Sequence, residues 1–470
     1  MAYIGKTPVI GNFVKLDSIT VVNGQAAYTM QNGGVNFTSY DNVNQFLVSL
    51  NGVLQAPTDS FTVSGSTLTF ASNLSTGDVI DFVLVLGNSL DIGTPSDNTI
   101  STAKLQDNAI TSAKLASGAV QNQSAFKNII INGDMSIAQR GTSATGKTST
   151  GYYTADRFEM LISSAGTWTQ TQDTTVPSGQ GFAKSLKMDC TTADASLGAG
   201  DYLILRQKFE GQNLQYLKKG TSSAESLTAS FWVRSNKTGT YIVELFDDDN
   251  SRMIQQSYTI SSADTWEKKT LTFAGDTTGS LNNDNNLSLS MNFWLAAGSN
   301  FTGGLTTSWG SAGGSRAQGQ VNLADSTSNE WYITGVQLEA GTSASDFEFL
   351  PHDVNLQRCY RYYRTLVPLN SFDTGWSMGF YTASNNARFA MHLENPMRAI
   401  PSLDIVTGTD YFRLFTAAGN DLLNSFTLMA SVTEKFIIAN NTSEASGTGG
   451  QAGYALSNNN SAYLAVDSEL

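Results

Sequence analysis

The run Leu287-Ser-Leu-Ser-Met-Asn-Phe-Trp294 sets Leu287, Leu289, Met291 and Phe293 at every second position. A period of two sends successive side chains to opposite faces of a strand, so this run predicts a strand with one buried and one solvated face. Similar short apolar or alternating runs recur at 202–205, 227–233, 241–246, 269–273 and 331–338. Turn formers separate them. Roughly eight to ten such strands from residue 127 onward predict a jelly-roll β-sandwich.

The flanking regions follow other rules. In residues 1–90, Asn51-Gly52 stands between Phe46-Leu-Val-Ser-Leu50 and Val53-Leu54, a strong hairpin signal because both turn residues must take positive φ. A second hairpin is predicted around Ser64-Gly65-Ser66, and the almost wholly apolar run 79–85 predicts a central, buried strand. Residues 91–126 lose their aromatics apart from Phe126 and carry a ten-residue repeat. Asn98-Thr-Ile-Ser-Thr-Ala-Lys-Leu-Gln-Asp107 is followed by Asn108-Ala-Ile-Thr-Ser-Ala-Lys-Leu-Ala-Ser117. Each copy offers a narrow apolar stripe that one chain cannot bury. Chains side by side, three for example, could bury Ile100, Leu105, Ile110, Leu115 and Val120 about a common axis, which points to an oligomeric stalk. Beyond residue 352 a short helix is expected, capped by Asp353, with Leu356, Cys359, Tyr360 and Tyr363 at helical spacing. Further strands follow to residue 470. The expected architecture is thus all-β and modular. A small N-terminal β domain (1–90) leads through a repeat stalk (91–126) to a jelly roll (127–352), then to the helix and a C-terminal β-sandwich tip (353–470).

Composition narrows the function. The net charge of −13 argues against nucleic acid and anionic membrane as partners. The two cysteines, Cys190 and Cys359, lie far apart without CxxC spacing and are expected to be reduced thiols. The opening residues MAYIGKTPVIGNFVKLD lack the apolar core of a signal peptide, and no apolar run is long enough to span a bilayer. Synthesis and assembly in a cytoplasm are expected.

No catalytic set emerges. His352 and His392 are the whole histidine supply, and no Cys/His cluster has zinc-ligand spacing. Asp247-Asp-Asp249-Asn250 could gather calcium or form an acidic turn, and the spacing is no EF-hand loop. Nothing among the 40 acids singles out a glycosidase pair. The expectation is a non-enzyme without cofactor or metal. Recognition then falls to aromatic rings, which stack on the C–H faces of sugars. Trp309 and Trp376, both near turn residues, are the candidate glycan platforms, and each also fits as a plug at the end of a β core. Trp232, Trp266, Trp294 and Trp331 lie in or beside strand patterns and are expected in the core.

Five motifs occur in order: Asn132-Gly-Asp-Met-Ser-Ile-Ala-Gln-Arg-Gly141, Tyr153-Thr-Ala-Asp-Arg-Phe158, Gly335-Val-Gln-Leu-Glu-Ala-Gly341, Asp346-Phe-Glu-Phe349 and Leu356-Gln-Arg-Cys-Tyr-Arg-Tyr-Tyr363. The series resembles the jelly-roll region of bacteriophage tail fibres and prophage tail proteins, whose domain is similar to carbohydrate-binding modules. Residues 1–90 resemble, more weakly, the tail-attachment domains of podovirus-type fibres, and the repeat resembles linkers in fibres of marine and cyanobacterial phages. The resemblance implies a homotrimeric receptor-binding protein of the virion. It would be held to tail adaptor or nozzle proteins by its N-terminal end, and its distal β domains would bind a host surface glycan or outer-membrane receptor. A glycan-depolymerising tailspike and a structural tail adaptor without host contact are the alternatives.

Overall fold

The computed structural model describes residues 13–87, 126–430 and 432–470. The chain divides into two compact units, Met1–Lys114 and Leu115–Leu470. The stalk candidates Ile100, Leu105, Ile110, Leu115 and Val120 lie outside the described residues.

Among the described residues of the first unit the strands pair antiparallel, and a single isolated bridge, Pro57 to Phe61, is parallel. A four-stranded sheet runs Val14–Lys15, Ile80–Val85, Phe46–Leu50, Val53–Gln55, and a three-stranded sheet runs Gln25–Thr29, Thr67–Leu74, Phe61–Ser64. Phe46, Val48 and Val83 of one meet Tyr28, Leu68 and Phe70 of the other in a single core. Asn51 and Gly52 take φ of 52° and 74°, the twist that a two-residue hairpin needs. The strand Ile80–Val85 does lie inside its sheet, but only one face is buried. Ile80, Val83 and Val85 point into the core, whereas Phe82 and the neighbouring Leu47 and Leu54 stay exposed. Among the described residues nothing covers its outer face, so the apolar run holds one core face only.

The second unit holds two sandwiches. In the first, a six-stranded sheet runs Ser143–Lys147, Thr167–Asp173, Ser185–Thr192, Glu330–Ala340, Leu227–Ser235, Glu267–Phe273. It faces a seven-stranded sheet ordered Gly151–Tyr152, Glu159–Ser163, Tyr202–Glu210, Leu287–Ala297, Gly239–Asp247, Arg252–Ile260, Gly310–Ser311. Inward residues of both, among them Trp168, Phe231, Tyr241, Phe293 and Trp331, make one large core. The fold is all-β, with the two antiparallel sheets and shared core of a jelly-roll sandwich.

Leu287–Ala297 departs from the expected two-faced strand, because its polar face is buried as well. Asn292 Nδ2 donates to Glu244 Oε1 at 2.9 Å, and Arg316 grips the same carboxylate at 2.8 and 2.5 Å. Gln255 Nε2 donates to it at 3.1 Å. The segment after the strand folds back so that Phe301 and Ala317 cover Trp294. The ionic and amide bonds around Glu244 offset the burial of that face, although Ser288 Oγ, Asn292 Oδ1 and Trp294 Nε1 make no hydrogen bond among the described residues.

Beyond the helix His352–Tyr360 the second sandwich pairs a three-stranded sheet, Tyr363–Val367, Tyr463–Asp467, Ser402–Val406, with a seven-stranded one. The latter runs Gly419–Leu423, Phe412–Thr416, Ala452–Ser457, Gly375–Ala383, Asn386–His392, Phe436–Asn441, Thr427–Leu428. Asp353 does not cap the helix. Pro351 holds that position without a side-chain bond, and Asp353 lies in the first turn, where its charge still suits the helix dipole. Tyr363 already belongs to a strand, so the helical spacing stops at Tyr360.

The sandwiches are joined by buried charge. Glu469 accepts from Arg157 Nη1 and, at 3.5 Å, from both terminal nitrogens of Arg140. The Arg157 guanidinium lies 3.5 Å from the Tyr362 ring centroid and that of Arg140 3.4 Å from Tyr363. A second ionic centre closes one end of the jelly roll. Lys219 Nζ donates to Asp247 Oδ2, to Asp276 Oδ2 at 2.8 Å and to the Gly279 carbonyl at 3.1 Å.

Candidate functional site

Alternation decides where Trp232 goes. On Leu227–Ser235 the side chains of Ala229, Phe231 and Val233 are buried in the core, so Trp232 turns to the outer face of the six-stranded sheet. It stands opposite Lys268 on one neighbouring strand and Thr334 on the other. The pairing with Glu330–Ala340 slips between Ser230 and Trp232, and Gly335 stands at the slip with φ +62°. A Cβ at Gly335 would lie 2.5 Å from the tip of the Phe182 ring, so only glycine fits both the backbone twist and the space.

The bulge brings three rings together. Phe182, Phe347 and Phe349 lie 4.8 to 5.1 Å apart by centroids, and Phe349 is half exposed. With Trp232 they border a cleft of about 300 Å³, completed by Gln180, Ser230, Lys268 and Asp346. The side chains of Gln180, Ser230, Lys268 and Asp346 and the indole N–H of Trp232 form no hydrogen bond or ion pair within the described residues. Donors, acceptors and one charge of each sign are therefore open to a ligand beside apolar ring faces, as in a small-molecule site.

Adjoining groups on the same face contrast with this. Glu330 accepts from Lys187 at 2.8 Å, from Arg234 at 3.2 Å and from the Tyr332 hydroxyl at 3.0 Å. Burial opposes the Glu330 charge, but the bonds from Lys187 and Tyr332 outweigh it and hold its carboxyl below the ordinary range. Such a self-satisfied network is structural, and the open groups of the cleft are not part of it.

The structure distributes the sequence candidates differently. Trp309 lies half-buried against the jelly-roll core, its N–H donating to the Ala274 carbonyl at 2.7 Å and its ring 4.3 Å from Lys219 Nζ. Trp376 packs on the core of the C-terminal sandwich, with ring centroids 5.3 Å from Phe389 and 5.1 Å from Phe426. The two pack against different cores. Of the four tryptophans expected in the core, Trp294 and Trp331 are buried, while Trp232 and Trp266 lie half-buried on the outer face. The parity of Phe231 and Val233 was the signal that could have placed Trp232 outside. His352 and His392 are exposed, and Cys190 and Cys359 are buried free thiols. In Asp247–Asn250 each carboxylate serves the fold: Asp247 holds Lys219, Asp248 accepts from Ser290 Oγ at 3.2 Å, and Asp249 accepts from the Asn282 amides at 2.9 and 2.7 Å.

No family model matches the chain, and no curated relative matches it. Solved structures give weak likenesses. Over 46% of its length the chain is similar to the enzymatically active domain of tailspike protein 4 of bacteriophage CBA120, at 13% identity and TM-score 0.26, and it spans 22% of that chain. Over 45% it is similar to the xylan-binding CBM22-2 domain of Paenibacillus barcinonensis Xyn10C, at 14% identity and TM-score 0.22, covering 96% of that domain. Over 45% it is also similar to TmCBM61 in complex with β-1,4-galactotriose, at 11% identity and TM-score 0.22, covering 98% of it.

Proposed function

We propose that this chain is a bacteriophage tail fibre whose jelly roll binds a host surface glycan in the Trp232 cleft. The observation that carries this reading is the set of unpartnered polar groups gathered beside exposed ring faces. A sugar presents C–H faces to rings and hydroxyls to amides, carboxylates and ammonium groups, and the cleft supplies each. Adsorption of this kind requires no bond-breaking, and weak sites multiply in an oligomer through effective concentration. In this reading the N-terminal unit holds the fibre to tail adaptor or nozzle proteins of the virion. The ordered motifs from Asn132 to Tyr363 support the phage assignment.

The test is binding of the full chain to envelope polysaccharide from a host strain. Trp232→Ala should weaken it about tenfold or more, the effect of truncating a central aromatic anchor, with an unchanged melting curve. Binding equal to wild type would remove the cleft from the proposal. Release of oligosaccharides from the polysaccharide would replace adsorption by depolymerisation.

The repeat supports a trimer in the same reading. Leu105→Asp combined with Leu115→Asp should lower the mass in light scattering from three copies toward one, with both folded units melting as before. A mutant that keeps the parental mass would reduce the repeat to a tether.

A further inference from the structure

Behind the segment that carries Phe347 and Phe349 lies a second cleft, of about 350 Å³, which the first reading leaves unused. Phe126 and Tyr216 form its exposed rims, Ile129 and Ile131 contribute apolar wall, and Asn213 and Arg358 project polar groups into it. The cleft is larger than the Trp232 site.

Its charges are settled with one exception. Arg361 is held by Glu210 at 2.7 and 2.6 Å, and the same carboxylate takes the Tyr362 hydroxyl at 2.5 Å. Lys208 Nζ donates to Glu159 at 3.2 Å and to the Leu470 carbonyl at 2.6 Å. Glu348 is engaged by the Phe126 and Asn128 amides at 2.5 and 2.9 Å. Arg358 alone among the lining cations lacks a carboxylate partner within the described residues. Its single hydrogen bond is a long one, 3.3 Å from Nη2 to the Asn128 carbonyl. Burial pushes its pKa below the ordinary guanidinium value, and the more distant Glu348 carboxylate offsets this only in part. The Asn213 amide and the Tyr216 hydroxyl likewise make no side-chain bond within the described residues.

A half-buried guanidinium with free N–H groups fits a carboxylate by two parallel bonds, a match that ammonium does not offer. A ring face and an amide beside it suit the rest of a pyranose. We infer that this cleft binds an acidic sugar residue, its carboxylate on Arg358 and its ring against Tyr216. The inference rests on the glycan-binding reading and adds to it that the recognised polysaccharide is a uronic-acid-containing one.

The experiment is saturation-transfer NMR on the full chain, with D-glucuronate, D-glucose and inorganic phosphate as probes. Glucuronate should give a clearly stronger signal than glucose, and Arg358→Gln and Tyr216→Ala should each weaken its binding about tenfold or more. Arg358→Lys, which keeps the charge and loses the fork, should weaken it nearly as much while retaining the wild-type melt. His392→Ala, exposed on the C-terminal sandwich and lining neither cleft, should leave it unchanged. Equal signals from glucose and glucuronate would overturn the inference, as would glucuronate binding that survives Arg358→Gln. Displacement by phosphate at equal concentration would reduce the site to a general anion site and overturn it also. Glucuronate binding that depends on Arg358, in a protein that fails to bind host polysaccharide, would uphold this site and sink the attachment reading.

Discussion

Glu469→Ala should destabilise the second unit by about 3–5 kcal/mol, the usual loss when one partner of a buried pair is removed. Arg157 is the reason. Its side chain is fully buried, with Nη2 donating to the Lys208 carbonyl at 2.7 Å. Burial works against its charge, and the Glu469 carboxylate more than reverses that effect, holding its pKa above the ordinary value. Without Glu469 the guanidinium keeps its charge, since arginine does not release a proton in the accessible pH range. Arg140 loses a partner in the same step but keeps Asp467 at 3.2 Å. Urea unfolding of Glu469→Ala, Arg157→Met and the double variant measures the coupling directly. The double variant should recover much of the loss, because an apolar pair avoids the stranded charge. A single-variant loss below about 1 kcal/mol, in the range of exposed pairs, would show that the pair is not under charge control.

That cluster also explains what the sequence could and could not reveal. The five ordered motifs converge physically. Asn132 donates to the carbonyls of Ile137 and Asp156, and Gln139 bonds the Asp156 carboxylate and the Tyr363 carbonyl. Gly133 lies so close to the Val336 carbonyl that a Cβ there would be 2.0 Å from it. Order and residue type were readable because turns, close approaches and strand periods are local properties. Glu469 was not readable as their shared anion, because nothing local distinguishes it from other surface-looking acids. The same limit affected the tryptophans. Strand propensity places Trp232 and Trp331 alike, and only the parity of their apolar neighbours separates a ring facing the core from one facing a cleft. The polar residues of Leu287–Ala297 looked solvated because their cover, Arg316 and Ala317, lies in a glycine-rich segment without strand pattern.

Lys219→Met should produce a loss of similar size, about 3–5 kcal/mol, by stranding anions instead of a cation. Asp247 and Asp276 are buried, and Lys219 Nζ is the donor they share, beneath the ring of Trp309. Asp276 retains Arg252, with bonds of 2.7 and 3.0 Å, whereas the hydrogen bonds left to Asp247 among the described residues come from the neutral amides of Asn250, with the Arg252 charge near but not bonded to it. The loss should therefore fall mainly through Asp247, and Asp247→Asn in the Lys219→Met background should restore stability. The pH dependence gives an independent sign. Burial raises the Asp276 pKa, but bonds from Arg252 and Lys219 outweigh it and lower the value to about 2. A depressed carboxyl stabilises the fold above its unfolded pKa near 4, and that contribution disappears as pH falls toward 2. Wild-type protein should thus lose stability across this window. In Lys219→Met the bonds that depress the value are fewer, so the acid loss should be shallower and the gap between the two proteins should narrow as the carboxylates protonate. Urea midpoints measured between pH 7 and pH 3 would decide it. A gap that stays constant over this range would mean that Lys219 acts through packing on Trp309 rather than through its charge.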